Sequence, residues 1–106
     1  MQVATITISA LPTTRADGTA VSASDFGPAN FYKNGTLVGT SGAAAAVGTA
    51  FTDTVQAVDG DSWTVTIMDT QTPPVEGLPS AAFIVSGVQA PPLAQLAAPT
   101  ITGSVA

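Results

Sequence analysis

The sequence predicts an all-β fold, an antiparallel two-sheet β-sandwich with an extended C-terminal arm, from three observations. Short segments alternate polar and apolar residues with a period of two, as half-buried strands do. Turn-forming pairs such as Asn34-Gly35 and Asp59-Gly60 separate these segments. No segment has the 3.6-residue apolar period of an amphipathic helix. About seven strand-sized segments of this kind are typical of a sandwich domain.

The N-terminal third contributes one clear strand and one weak one. Residues 2–9 alternate strictly, with Ile6 and Ile8 on the inward face, and form the first predicted strand. Residues 11–18 contain proline and an Asp-Gly pair, so we expect the chain to reverse there. Residues 19–23 are small and polar, which favours a weak second strand at a sheet edge.

The strongest local signal lies between Phe31 and Val38, where Asn34-Gly35 separates two β-prone segments. Asn and Gly both tolerate the positive φ that a type I′ turn requires at its two central positions. The pair therefore predicts a tight β-hairpin.

Three further strands are predicted after the hairpin. Residues 51–57 alternate again, and residues 63–69 carry a large indole and β-branched side chains, which suit a central core strand. Residues 81–88 form the last predicted strand, with apolar side chains on both faces. The side chains expected in the core of the first two of these strands are Phe51, Val55, Ala57, Trp63, Val65 and Ile67.

Four motifs stand in order in the middle of the chain: Phe31 to Thr40 around the Asn-Gly turn, Ala50 to Thr54, Ser62 to Asp69, and Gly77 to Ser80. Together they resemble a fibronectin type III or Ig-like domain of the bacterial and phage type. The resemblance covers about residues 29–88. It departs from the family in lacking the usual buried Trp of the second strand and in having Trp63 where Tyr is more common. The family implies a spacer or binding module and no particular ligand.

Composition and charge exclude several classes of partner. The 106 residues carry a net charge of −5, with Arg15 and Lys33 as the only basic side chains. Nucleic acid and anionic membrane surfaces both require clustered basic residues, so neither is an expected partner. Few charges also mean little electrostatic repulsion between copies, which favours association with protein subunits of a larger assembly.

The residue inventory also argues against catalysis. The chain has no His and no Cys, and Glu76 is its one glutamate. General acid-base and nucleophilic mechanisms need a group tuned near neutral pH or a base beside the nucleophile. We therefore predict no catalytic residue and no cofactor, and interpret Glu76 as a solvated carboxylate in a Pro-rich loop.

Two interpretations of the aspartates are a metal site and ordinary turns, and we prefer the turns. Asp53, Asp59, Asp61 and Asp69 follow or flank turns, and calcium favours such oxygen ligands. Asp-Gly-Asp is also ordinary turn chemistry, and six or more ligands cannot be identified in the sequence. We therefore predict no bound metal.

The Pro/Ala-rich residues 89–106 are predicted to lie outside the sandwich domain, which comprises residues 1–88. With Pro91, Pro92 and Pro99 this segment is expected to be extended. It is either a linker, since residues 98–103 resemble the start of another sandwich, or a docking arm. As a docking arm, it would bind its partner through the side chains of Leu93, Leu96, Ile101 and Val105.

The preferred functional hypothesis is a non-enzymatic structural or decoration module of a phage or related virion, on its capsid, tail or fibre. Residues 1–10 lack the basic flank and apolar core of a signal peptide, which favours assembly inside a cell. The alternative is a spacer or binding module of a secreted or surface bacterial protein. If that module binds carbohydrate, its contact residues would be Phe26, Tyr32 and Trp63.

Overall fold

The computed structural model describes residues 1–88 and 93–105. Part of the predicted arm, including Pro91 and Pro92, lies outside the described residues. In the described part the strands are β1 (Thr5–Thr7), β2 (Phe26–Lys33), β3 (Thr36–Thr40), β4 (Ala50–Thr52), β5 (Ser62–Asp69) and β6 (Phe83–Ile84), and a short 3₁₀ helix spans Ala23–Asp25.

The strands form two antiparallel sheets, which confirms the predicted fold class. One sheet has two strands in the order β1-β4, and the other has four in the order β3-β2-β5-β6. The molecule is elongated, with extents of 93 × 23 × 21 Å. Within residues 1–88 and 93–105, no helix is long and apolar enough to span a membrane.

The predicted hairpin joins β2 to β3. Asn34 and Gly35 have φ angles of 52° and 81°, and Lys33 pairs with Thr36 across the turn. Positive φ at both central positions is what the type I′ turn requires, so the sequence signal and the backbone agree.

The core lies between the two sheets and is centred on aromatic rings. Phe31 on β2 and Trp63 on β5 are each 1% exposed. Phe51 on β4 stacks on Phe31 with a centroid distance of 5.5 Å and lies 6.0 Å from Trp63. The remaining residues predicted to share this core are buried or packed against it: Ile6, Ile8, Ala57, Val65 and Ile67.

Val55 is the exception, because its side chain is 56% exposed rather than inward. The strand alternation stops at Thr52, where β4 ends. The carboxylate of Asp53 then accepts a hydrogen bond from the Val55 N–H at 3.3 Å, which turns the chain. A side-chain bond of this kind competes with the extended backbone that the alternation assumes.

The predicted strand at residues 19–23 is also wrong. Only one bridge forms there, between Thr14 and Ala20, and the chain then enters the 3₁₀ helix. Three local hydrogen bonds to two aspartates explain this. Asp17 accepts hydrogen bonds from the Thr19 N–H and hydroxyl, and Asp25 accepts one from the Ser22 N–H at 2.7 Å.

The last predicted strand is much shorter than residues 81–88. It spans Phe83–Ile84, pairs with β5 only at Ser62 and Trp63, and leaves both of its side chains more than half exposed. Val85 is buried, as expected. Ahead of β6, β5 bonds instead to the preceding loop, where Ser80 N–H donates to the Val65 carbonyl at 2.9 Å.

Candidate functional site

The four side chains predicted to contact a partner are all exposed. Leu93 is 95% exposed, Leu96 97%, Ile101 86% and Val105 101%. Residues 93–105 contain no helix or strand. Apolar side chains held in water over such a length are an unfavourable arrangement for a free monomer, and exposed apolar surface of this kind marks interaction sites.

A cleft with a volume of about 1090 Å³ opens beside β1. The Phe51 ring of β4 packs on Phe31 of β2, over Gly39 of β3 and beside Trp63 of β5. Val65 and Ile67 are only partly buried and Phe83 is 55% exposed, so these side chains border the cleft. The apolar lining includes Ile6, Ile8, Trp63, Val65, Ile67 and Phe83.

The indole nitrogen of Trp63 is a buried donor. Trp63 Nε1 has no hydrogen-bond partner among the described residues. A buried donor without an acceptor costs about 1 to 3 kcal/mol.

Lys33 and two aspartates form an ion cluster beside the core. Lys33 Nζ lies 2.8 Å from Asp53 Oδ2 and 3.8 Å from Asp61 Oδ2. The hydrogen bond from Lys33 holds the pKa of Asp53 below its usual value, and the hydrogen bond from Asn34 does the same for the pKa of Asp61. The ammonium group therefore neutralises charge where the Asn-Gly turn meets β4 and β5.

The aspartates considered for calcium thus have other roles. Asp69 pairs with Arg15 at 3.1 Å, and Asp59 accepts the Val88 N–H at 3.0 Å. In residues 1–88 and 93–105, no three His, Cys, Asp or Glu side chains come together in a way that could hold a metal ion.

Glu76 is exposed, as expected of a loop carboxylate, but it is also held by neighbouring side chains. It accepts hydrogen bonds from Asn30 Nδ2 at 3.2 Å, from Thr66 Oγ1 at 2.5 Å and from the Tyr32 hydroxyl. The Thr66 hydroxyl, followed by that of Tyr32, lowers the pKa of Glu76, so the group is ionised at neutral pH. These contacts form because Glu76 bridges to Met68 of β5, which places its carboxylate on the outer face of the four-stranded sheet.

Sequence reasoning could have found half of this polar cluster. Asn30 and Tyr32 lie two residues apart on β2, and Asn30 pairs with Thr66 of β5, so the three share the outer face. The pairing of Glu76 with β5 had no signal, because residues 71–80 contain three prolines and no alternation.

The aromatic residues suggested for carbohydrate binding do not form one surface. Trp63 is buried in the core, so its inclusion was wrong. Phe26 is half-buried and lines the cleft, while the Tyr32 hydroxyl is bonded to Glu76 on the outer face. Of the three, only Tyr32 lies on that outer face beside polar side chains.

Comparison with family models, curated proteins and solved structures found no match to this chain. The type III or Ig-like resemblance therefore stays a prediction. The fold and the site geometry are the basis for assigning a function.

Proposed function

We propose that this chain is a non-enzymatic structural module that attaches to protein subunits of a larger assembly through its C-terminal segment, residues 93–105. The observation that carries the proposal is the near-complete exposure of four large apolar side chains in that segment. The sandwich is then the part that is displayed or that reinforces the assembly, and the segment is the attachment.

The energetics of the segment support attachment rather than isolated order. Fixing an extended residue costs about 1 to 2 kcal/mol of conformational entropy. Burying a Leu, Ile or Val side chain contributes about 1.5 to 3 kcal/mol. Four such side chains offset the ordering of only part of the segment, so backbone hydrogen bonds to a strand edge of the partner are also needed, as in strand addition.

The charged residues support a role without catalysis. The carboxylates of Asp53, Asp61 and Asp69 are paired with Lys33 or Arg15, and Glu76 is held ionised by three donors. An ionised carboxylate with a lowered pKa is poorly suited to act as a general acid at neutral pH. These carboxylates therefore serve the architecture.

We place the module on a virion, with an extracellular or bacterial surface as the alternative location. Support comes from the low content of charged residues, 8% of the chain, and from the extended shape. A weakly charged surface allows many copies to pack side by side through apolar and hydrogen-bonding contacts.

The test is incorporation of the module into the particle that carries it. Full-length chain and a chain lacking residues 89–106 are each supplied to assembling particles, and the copies retained are counted by quantitative mass spectrometry. We expect the truncated chain to keep the β-sheet circular dichroism spectrum and to be lost from the particle. Equal incorporation of the two chains would make the segment a linker and overturn the proposal.

The polar cluster on the outer sheet face favours a second candidate, a carbohydrate-binding module. Tyr32 offers a ring and Asn30 an amide at the surface, beside the Glu76 carboxylate. Under this alternative the wild-type chain binds glycans on an array and Tyr32→Ala abolishes that binding. Under the first proposal the two chains give the same array signal.

A further inference from the structure

We propose that the cleft beside β1 receives residues 99–105 of a second copy of this chain, which pairs as an additional strand with the open edge of β1. This inference rests on the proposed function and deepens it, because it names the surface that the C-terminal segment occupies. Copies joined in this way are linked head to tail.

The first argument is that β1 has an unused edge. Ile8 N–H donates to the Thr49 carbonyl, Gly48 N–H to the Ile8 carbonyl and Asp53 N–H to the Ala4 carbonyl, each at 2.8 Å. In an antiparallel pair, alternate residues direct their backbone groups to opposite sides. The backbone groups of Thr5 and Thr7 therefore point away from β4, and within the described residues the sheet ends there.

The second argument is that the space beside this edge is apolar and large enough. The 1090 Å³ cleft has Ile6 and Ile8 on one wall and Val65 and Ile67 of β5 on the other. A smaller cavity of about 220 Å³ continues along β1 between Val3 and residues 83–88. An open strand edge beside exposed apolar surface is the arrangement in which strand addition occurs.

The third argument is the pattern of the proposed donor. Thr100-Ile101-Thr102 repeats the order of Thr5-Ile6-Thr7 in β1. In β1, Ile6 packs against the core while Thr5 Oγ1 lies on the outer face, 3.0 Å from Thr52 Oγ1. A strand of the same pattern would bury Ile101 in the cleft and extend the outer row of threonines, a pairing that stabilises sheets.

Val105 fits the same face as Ile101, because side chains four residues apart on a strand point the same way. Ser104 then falls on the outer face with the threonines, and Pro99 stands at the start of the strand, where proline is tolerated.

The test uses sedimentation equilibrium of the full-length chain and two variants of equal charge. The donor variant is Ile101→Asp with Val105→Asp. The matched control is Leu37→Asp with Val47→Asp, which changes the charge equally at two exposed positions outside both the C-terminal segment and the lining of the cleft. We expect the wild type and the control to associate with increasing concentration. The dissociation constant of the donor variant rises by about tenfold or more for each buried side chain removed.

A second variant blocks the acceptor. Thr7→Pro removes a backbone donor that points to the open edge and leaves the β1–β4 bonds in place. Phe83→Asp, at an exposed position on the cleft wall, serves if Thr7→Pro does not fold. Each blocked chain alone is then monomeric. A mixture of donor-blocked and acceptor-blocked chains forms a 1:1 dimer and nothing larger, because one intact junction remains.

Two results would overturn the inference. A wild-type chain that stays monomeric at every concentration excludes a second copy, while the particle-incorporation test above can still succeed through another partner. The second result is a monomeric chain in which the donor variant alters the fluorescence of Trp63, the sole tryptophan, at every concentration. That result would mean that the chain's own segment fills the cleft.

Discussion

The ring of Phe51 lies directly over Gly39, so that the two sheets are in contact where a side chain on β3 would otherwise stand. A Cβ at position 39 would come within 2.6 Å of Phe51 Cδ2 and closer still to Cε2. The ring also stacks on Phe31. The packing of β4 on β2 and β3 therefore depends on the missing side chain.

Gly39→Ala is expected to destabilise the fold by about 1 to 3 kcal/mol, the usual cost of overpacking. Gly42→Ala is the matched control, because a Cβ there meets no atom within 4 Å. Urea unfolding measures both. Similar midpoints for the two variants would mean that Phe51 moves aside without cost.

Trp63→Ala is expected to cost about 3 to 5 kcal/mol, as large-to-small changes in a core do. Phe83→Ala removes another aromatic ring, but one that is 55% exposed, and we expect a clearly smaller loss. The measurement is again the free energy of unfolding. A loss below about 1 kcal/mol for Trp63→Ala would contradict its central place in the core.

Stability is expected to fall in acid as Asp69 is protonated. The Val75 N–H, then the Gln71 backbone and side chain and Arg15, lower the pKa of Asp69 from 3.8 to about 2. A pKa that is lower in the folded state stabilises the fold above the unfolded value, and this contribution is lost as the pH falls from about 4 to 2.

The urea midpoint measured between pH 5 and pH 2 tests this. Asp69→Asn flattens the decline, because it removes the titrating group. Arg15→Gln flattens it less, since Arg15 is a smaller cause of the shift than the Val75 N–H. If the urea midpoint of Asp69→Asn falls in acid as much as that of the wild type, groups other than Asp69 cause the loss of stability.

Tyr32 reports directly on the outer polar cluster. The hydrogen bond to Glu76 raises the pKa of Tyr32 above 10.0. Glu76→Gln is therefore expected to lower the pKa of Tyr32, while Thr5→Ala, on the other sheet, leaves it unchanged. Tyr32 is the only tyrosine, so the ultraviolet titration of phenolate is unambiguous. An unchanged Tyr32 titration in Glu76→Gln would show that the hydrogen bond between Tyr32 and Glu76 does not form.

The features predictable from sequence were those fixed by local chemistry. Asn34-Gly35 identified the hairpin because positive φ is a property of those residues, and alternation identified Trp63 as a core residue. Val55 and the weak strand at 19–23 failed because aspartate side chains bond to nearby backbone N–H groups and turn the chain. The alternation of polar and apolar residues contains no information about such side-chain-to-backbone hydrogen bonds, which compete with strand formation.

The candidate site was also predictable from the sequence only in part. Leu93, Leu96, Ile101 and Val105 could be identified as apolar side chains outside the predicted sandwich. The cleft beside β1 could not, because it is lined by side chains from β1, β5, β6 and loops and lies beside the open edge of a two-stranded sheet. Those are tertiary relationships between segments far apart in the chain.

Hydrogen exchange of the C-terminal segment tests the central claim most directly. Amide exchange of residues 93–105 is compared between the isolated chain at low concentration and the chain in its assembled particle, with exposed loop residues 42–44 as the internal control. We expect the segment to exchange without protection in isolation and at least about tenfold more slowly in the particle, because docked strands close their backbone hydrogen bonds. Unprotected exchange of residues 93–105 in both states, with the sandwich retained in the particle, would contradict the claim that this segment is the attachment.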